Sequence, residues 1–129
     1  MTEKTYKMLG WGLSALFGLF MLGASVLPKL AGMAVADQAM VALGWNGSPL
    51  LLIGTLELVC TVLYLYPATG LLGASLMMAI LGGAITTNLR AGAPLASHTL
   101  FGIYLGVMMW GGLILREPRI RAVFPWIKF

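Results

Sequence analysis

The segment from Leu50 to Tyr66 is a run of apolar residues with one carboxylate, Glu57, near its middle. On membrane-insertion scales each central Leu, Ile or Val contributes roughly −0.3 to −0.6 kcal/mol, whereas a central acidic residue costs about 3 kcal/mol. Ten aliphatic residues of this kind lie in the segment, so we expect it to insert into a bilayer with Glu57 in place. An ionisable group at that depth must be neutralised, paired or turned toward a polar interior. Glu57 is therefore the first candidate for a functional residue. Its simpler role would be to tie helices together by hydrogen bonds.

Three further apolar runs accompany this segment and predict an all-α membrane protein. The composition agrees, since 60% of the residues are hydrophobic and only 9% are charged, whereas soluble domains contain about 25% charged residues. The first run is too long for the h-region of a secretory signal peptide and is followed by no small-residue cleavage site, which favours a true span. We expect one domain over residues 1–129, a bundle of four transmembrane helices at about 8–27, 50–66, 70–89 and 97–115.

Prolines mark the expected ends of the first two spans. The first span should stop at Leu27, before Pro28, and the second at Tyr66, because Pro67 cannot continue a helix and disfavours it at the preceding residue. The link after the second span is so short that the second and third spans must form an antiparallel hairpin. The longer connector, residues 28–48, mixes apolar and polar residues and predicts a short amphipathic helix between the first two spans.

The basic residues predict how the bundle is oriented. Four spans place both termini on one side, which then holds six Lys or Arg residues against two on the other. By the positive-inside rule both termini are cytoplasmic, in a bacterial inner membrane. The net charge of +4 is therefore topogenic and does not indicate nucleic-acid binding. The six residues are Lys4, Lys7, Arg116, Arg119, Arg121 and Lys128, and the two are Lys29 and Arg90.

The same topology gathers polar residues in the outer half of the bundle. Glu57 lies roughly 10 Å below the outer start of its span, and the neighbouring spans bring polar residues to similar depths. If these groups face inward, they line a pocket open toward the outer leaflet or the periplasm. Its candidate catalytic residues are Glu57 and His98. Its candidate ligand-binding residues are Lys29, Thr61, Tyr64, Asn88, Arg90 and Phe101.

Several of these residues also have a simpler role. Lys29 and Arg90 lie at helix ends, where long basic side chains snorkel to the interface, and His98 can cap its helix. Pairing with either basic residue would make Glu57 an ionised anchor, whereas an unpaired Glu57 could carry protons. One His, one Cys and one Glu on separate segments lack the spacing of a metal site, so no metal is expected. The single cysteine, Cys60, excludes an intramolecular disulfide.

The sequence Gly54-Thr55-Leu56-Glu57-Leu58 is followed, ten residues after the glutamate, by Pro67. With Pro28–Gly32, Leu43-Gly44 and Leu72–Leu76, this pattern resembles the DoxX-like family of small bacterial four-helix membrane proteins over about residues 22–118. Some members are membrane subunits of a thiosulfate:quinone oxidoreductase, and others associate with superoxide-handling or sulfur-handling enzymes. The resemblance implies that Lys29 and Glu57 are the key positions.

The leading hypothesis is an inner-membrane protein that holds a small or quinone-like molecule in an outer-facing polar pocket around Glu57. It would act as a small enzyme, or as a membrane subunit with a redox partner protein. The chain carries no metal or nucleotide motif, so the cofactor stays open, with a quinone as one option. A second interpretation is a proton-coupled small-molecule transporter that works as a homodimer. A third is a structural membrane anchor or assembly factor.

Overall fold

The computed structural model describes residues 2–45 and 49–124, and within these ranges the chain forms helices, turns and loops with no β-strand. Lys128, which entered the orientation argument, lies outside the described residues. Short turns separate several of the helices: a π-helical turn at Met21–Val26, a 3₁₀ turn at Pro67–Thr69 and a second π-helical turn at Leu95–Thr99. The α-helices are α1 (Glu3–Phe20), α2 (Leu27–Leu30), α3 (Ala34–Ala42), α4 (Leu50–Leu65), α5 (Gly70–Arg90), α6 (Phe101–Arg116) and α7 (Pro118–Val123).

The first helix continues through the proline at which it was expected to end. α1, the first π-helical turn and α2 form one continuous helix, Glu3–Leu30, so the prediction of an end at Leu27 is wrong. Proline usually breaks a helix because it lacks the N–H that bonds four residues back. Here a wide turn precedes it, in which the Leu27 N–H bonds the Leu22 carbonyl, and Pro28 falls in the first turn of α2. The wide turn changes the hydrogen-bond register before the proline, so the helix continues past it.

The predicted hairpin and the predicted connector helix are both present. α4 ends at Leu65 and α5 begins at Gly70, joined by the 3₁₀ turn, where the Thr69 hydroxyl donates to the Leu63 carbonyl at 2.7 Å. The connector contains α3, nine residues long, in which Met40 is buried. α3 therefore covers one end of the bundle and contributes few side chains to the core.

Three of the helical segments are long and apolar enough to cross a membrane. They are Glu3–Leu30, Pro67–Arg90 and Leu95–Arg116, and α4 is a shorter apolar helix of 16 residues. The chain is therefore a multi-pass membrane protein in contact with lipid.

The four long helices pack as antiparallel neighbours around one core. α1 lies on α6, α6 on α5 and α5 on α4, while the first π-helical turn and α2 close the ring against α4. The core contains the fully buried side chains of Phe17, Tyr64, Met77 and Met109. Gly73 lets α4 and α5 approach closely, since a Cβ there would overlap the Tyr64 backbone. The end of the bundle that carries Arg90 is called the distal end, and the end that carries the chain termini is the terminal end.

Candidate functional site

Glu57 lies in a buried polar network between α4 and the distal end of the first helix. The residue is 4% exposed. Lys29 Nζ lies 2.9 Å from Glu57 Oε1, and the Ser25 hydroxyl donates to Oε2. Lys29 Nζ also donates to Ser25 Oγ at 2.7 Å and to the Ser25 carbonyl at 3.3 Å. Of the two basic partners that the sequence allowed for Glu57, the structure therefore pairs it with Lys29.

The local sequence explains how these three residues meet. Ser25 and Lys29 are four residues apart and so share one face of the helix. Lys29 reaches the carboxylate because the helix continues past Pro28 instead of turning away. Gly54 lies one turn before Glu57, and a Cβ there would come within 3.0 Å of side-chain atoms of Lys29 and Leu30. The glycine and the glutamate of the Gly-x-x-Glu element thus act together, one admitting α2 and the other binding its lysine.

The network lines a cavity of about 750 Å³ at the distal end, beneath α3. Its walls are mostly apolar and come from the first helix, α4, α5 and α6, with Ile80 and Leu105 among them, and Met40 of α3 also lines it. Ligand pockets for small molecules usually have volumes of about 300–1,000 Å³ and a few convergent polar groups in an apolar wall. The cavity has the size and the polarity pattern of such a pocket.

Five of the predicted site residues line this cavity: Lys29, Glu57, Asn88, His98 and Phe101. The Asn88 amide donates to the Ala84 carbonyl of its own helix at 2.8 Å. His98 is exposed in the second π-helical turn, and its Nδ1 lies 2.8 Å from the Ser97 hydroxyl. Glu57 is therefore the buried polar member of the set and Lys29 a partly buried one, whereas His98 is exposed.

The structure places the other three predicted residues in different surroundings. The Thr61 hydroxyl donates to the Glu57 carbonyl within α4 at 2.7 Å. The Arg90 guanidinium donates to the Leu43 carbonyl at 2.7 Å and so ties the segment after α3 to the end of α5. Tyr64 lies two turns closer to the terminal end, where its hydroxyl donates to the Met109 carbonyl at 2.6 Å. These residues support the helices around the cavity.

Tyr64 belongs to a second buried cluster, at the terminal end, that sequence reasoning missed. Arg116 is 5% exposed, and its guanidinium lies 4.2 Å from the ring centroid of Trp11 and 4.5 Å from that of Tyr64. Its Nη2 donates to the Tyr64 carbonyl, while Nη1 has no hydrogen-bond acceptor among residues 2–45 and 49–124. Two aromatic faces thus hold this cation, and Gly70 makes room for it, because a Cβ there would overlap the guanidinium.

Ion pairs outside the spans fasten the terminal end. The Arg121 guanidinium donates to both carboxylate oxygens of Glu3, at 2.8 and 2.6 Å. Arg119 Nε donates to Glu117 Oε1 at 2.9 Å, and this hydrogen bond holds the pKa of the Glu117 carboxyl below its usual value. The Arg121–Glu3 pair joins α7 to the start of α1, whereas the Arg119–Glu117 pair lies at the start of α7.

Ser25 is a member of the Glu57 network that sequence reasoning did not include among the candidate site residues. Its position four residues before Lys29 would have identified it, had the helix been expected to continue past Pro28. In the part of the chain that the structure describes, no three His, Cys, Asp or Glu side chains cluster as metal ligands would. What the site offers chemically is a carboxylate, an ammonium and a hydroxyl at one wall of an apolar chamber.

Comparison with known proteins adds one match. The model of a family described as the DoxX-like family matches residues 12–112, which include every side chain of the network and of the cavity wall named above. No match was found among curated proteins or among solved structures.

Proposed function

The chain belongs to the DoxX-like family, and we propose that its distal cavity binds a small amphipathic molecule, such as a quinone-like compound, beside Glu57. In this proposal the protein works in redox metabolism, as a small membrane enzyme or as the membrane subunit of a larger system. Glu57 is the principal polar contact, Lys29 and Ser25 hold its carboxylate in place, and Asn88 and His98 face the same chamber.

The proposed topology has four spans, with both termini in the cytoplasm and the cavity in the outer half of a bacterial inner membrane. α4 has 16 residues, which at about 1.5 Å per residue gives roughly 24 Å, somewhat less than the hydrocarbon core of about 30 Å. The helices that pack against α4 are longer than α4. We propose that the bilayer is thinner where lipid contacts this shorter helix. In this topology the whole chain forms one domain.

The observation that carries the proposal is the ion pair between the partly buried Lys29 and the buried Glu57 at the wall of a cavity. Removing two charges from water is expensive, and well-packed apolar residues in their place are often equally stable or more so. A pair that only joined two helices would need no chamber beside it. Both carboxylate oxygens of Glu57 are held by donors from the first helix, as in an anchor of fixed position. This arrangement supports ligand binding over proton-coupled transport.

The experiment that tests the proposal extracts the protein with its ligand. The wild type is purified in nanodiscs of its native lipids, and organic extracts are compared by mass spectrometry with those of Glu57→Leu and of Ala84→Trp, which fills the cavity. Glu117→Leu is the matched control, since it removes an acid outside the cavity. We expect an enriched lipophilic molecule in the wild type and the control that is depleted at least about tenfold in the two cavity variants.

Circular dichroism establishes that each variant keeps its helical content. If all four proteins carry the same lipophilic molecules in the same amounts, the cavity is not a binding site and the network is structural.

A further inference from the structure

We infer that the ligand of the distal cavity presents a neutral hydrogen-bond donor to Glu57, so among quinone-like compounds the cavity selects the reduced hydroquinone, or a phenol, over a carbonyl-headed or ether-headed molecule of the same shape. This inference rests on the proposed function, because it takes the cavity to be a ligand site. It concerns the polar head of the ligand and follows from counting the donors and acceptors that the network leaves unused.

The donors of the network are already occupied. An ammonium group has three N–H donors, and Lys29 Nζ has three acceptors: Glu57 Oε1 at 2.9 Å, Ser25 Oγ at 2.7 Å and the Ser25 carbonyl at 3.3 Å. The single Ser25 hydroxyl hydrogen is donated to Glu57 Oε2. A carbonyl-headed ligand would therefore have to displace one of these bonds to be recognised here.

The acceptors are not occupied to the same extent. A carboxylate has about four lone-pair sites, and among residues 2–45 and 49–124 the Glu57 carboxylate accepts from Lys29 and Ser25 alone, at one bond to each oxygen. Glu57 lines the cavity, so a donor inside the chamber can reach the remaining sites. Asn88 adds no bias of its own, because its amide nitrogen gives one N–H to the Ala84 carbonyl and keeps a second N–H beside the side-chain oxygen.

Charge and shape narrow the class of ligand further. The Lys29 ammonium sits beside Glu57, so an amine cation at the same place would meet a like charge. A neutral hydroxyl meets no such repulsion. The wall contains Phe20 and Phe101, whose ring centroids lie 5.5 Å apart, together with aliphatic side chains. A flat aromatic body with a hydroxyl group fits both the wall and the acceptor.

The test uses three probes with nearly the same body: 1-naphthol, 1-methoxynaphthalene and 1-tetralone. Binding to the wild type in nanodiscs is measured by equilibrium dialysis, with empty nanodiscs to subtract partitioning into lipid and Ala84→Trp to identify the part that needs the cavity. We expect the naphthol to bind about tenfold more tightly than either donor-free probe, since a hydrogen bond to a charged acceptor is among the stronger ones.

Two variants separate the acceptor from the rest of the network. Glu57→Gln should reduce the preference for the naphthol to within about threefold, because an amide supplies a donor and a weaker, uncharged acceptor. Ser25→Ala frees one N–H of Lys29 as well as one lone-pair site on Glu57, so the naphthol should still bind while 1-tetralone binds more tightly than it does to the wild type.

The outcomes distinguish the two proposals. Equal binding of all three probes at the cavity, or tighter binding of 1-tetralone, overturns the inference that the ligand donates a hydrogen bond to Glu57. The cavity would then still be a ligand site. If no probe shows binding that Ala84→Trp removes, the proposed function fails together with the inference.

Discussion

Removing one partner of the Lys29–Glu57 pair should cost nearly as much stability as removing both. The effects of the two single substitutions should therefore not add in the double variant. The charged atoms are 2.9 Å apart, and the side chains are 18% and 5% exposed, respectively. In Lys29→Met a buried carboxylate keeps only the Ser25 donor, and orphaning a buried charge costs about 3 kcal/mol or more. In Glu57→Gln the lysine keeps its bonds to Ser25 and can snorkel from its helix end, so we expect a cost of about 2 kcal/mol.

The double variant Lys29→Met/Glu57→Gln leaves no unpaired charge, so we expect it to cost only about 2–3 kcal/mol in total, a coupling of about 2–3 kcal/mol between the two residues. The assay is reversible unfolding in mixed micelles of dodecyl maltoside and sodium dodecyl sulfate at pH 7, followed by far-ultraviolet circular dichroism.

The control is the same cycle on Arg119 and Glu117, whose side chains are 86% and 25% exposed. An exposed pair of this kind should show a coupling below about 1 kcal/mol. If the Lys29 and Glu57 substitutions add within about 0.5 kcal/mol, the two charges do not depend on each other and the account of the network is refuted.

Two further predictions concern helix packing and the terminal end. Gly73→Ala should destabilise the protein by about 3 kcal/mol, because its methyl group would overlap the Tyr64 backbone. The control, Gly82→Ala, meets no atom within 4 Å and should change stability by less than about 1 kcal/mol. Equal effects of the two substitutions in the same unfolding assay would contradict this packing. Because Arg119 lowers the pKa of Glu117 from 4.5, the pair should stabilise the protein above that pH and lose its effect as the pH falls through the lowered pKa. The stability difference between wild type and Glu117→Gln should therefore vanish in acid, and a difference that grows in acid would contradict the assignment.

The positions of the helices could be predicted from short-range features of the sequence. Long apolar runs and Pro67 were enough to predict α4, α5 and the hairpin between them, because both features act within a few residues. The effect of Pro28 was predicted wrongly, because it does not depend on the adjacent residues alone. Whether a helix survives a proline depends on the hydrogen-bond register before it, and the π-helical turn at Met21–Val26 has no mark in the sequence that we could read.

The site residues could be predicted where their position along the helices, and so their depth in the bundle, decides which of them meet. Counting residues from the helix ends placed Lys29, Glu57, Asn88 and His98 at one level, and all four line the distal cavity. Tyr64 shares a helix face with Glu57, yet it lies seven residues further along α4, or roughly 10 Å lower, where it contacts Arg116.

The burial of Arg116 could not be predicted, since it depends on contacts far apart in the sequence. A basic residue at the end of a span is usually topogenic and solvated. Here Trp11 and Tyr64 provide aromatic faces on two other helices, and Gly70 leaves the space that the guanidinium fills. Each of these residues is ordinary by itself, and only the packing of α1, α4, α5 and α6 joins them.

The most direct measurement is a crystal structure of the protein grown with 4-bromo-1-naphthol, with the bromine located by anomalous scattering. The account predicts a bromine peak inside the distal cavity and the naphthol oxygen within about 3.2 Å of the Glu57 carboxylate. Bromine found only on lipid-facing surfaces, or a Glu57 side chain enclosed by aliphatic groups with no chamber beside it, would contradict the account.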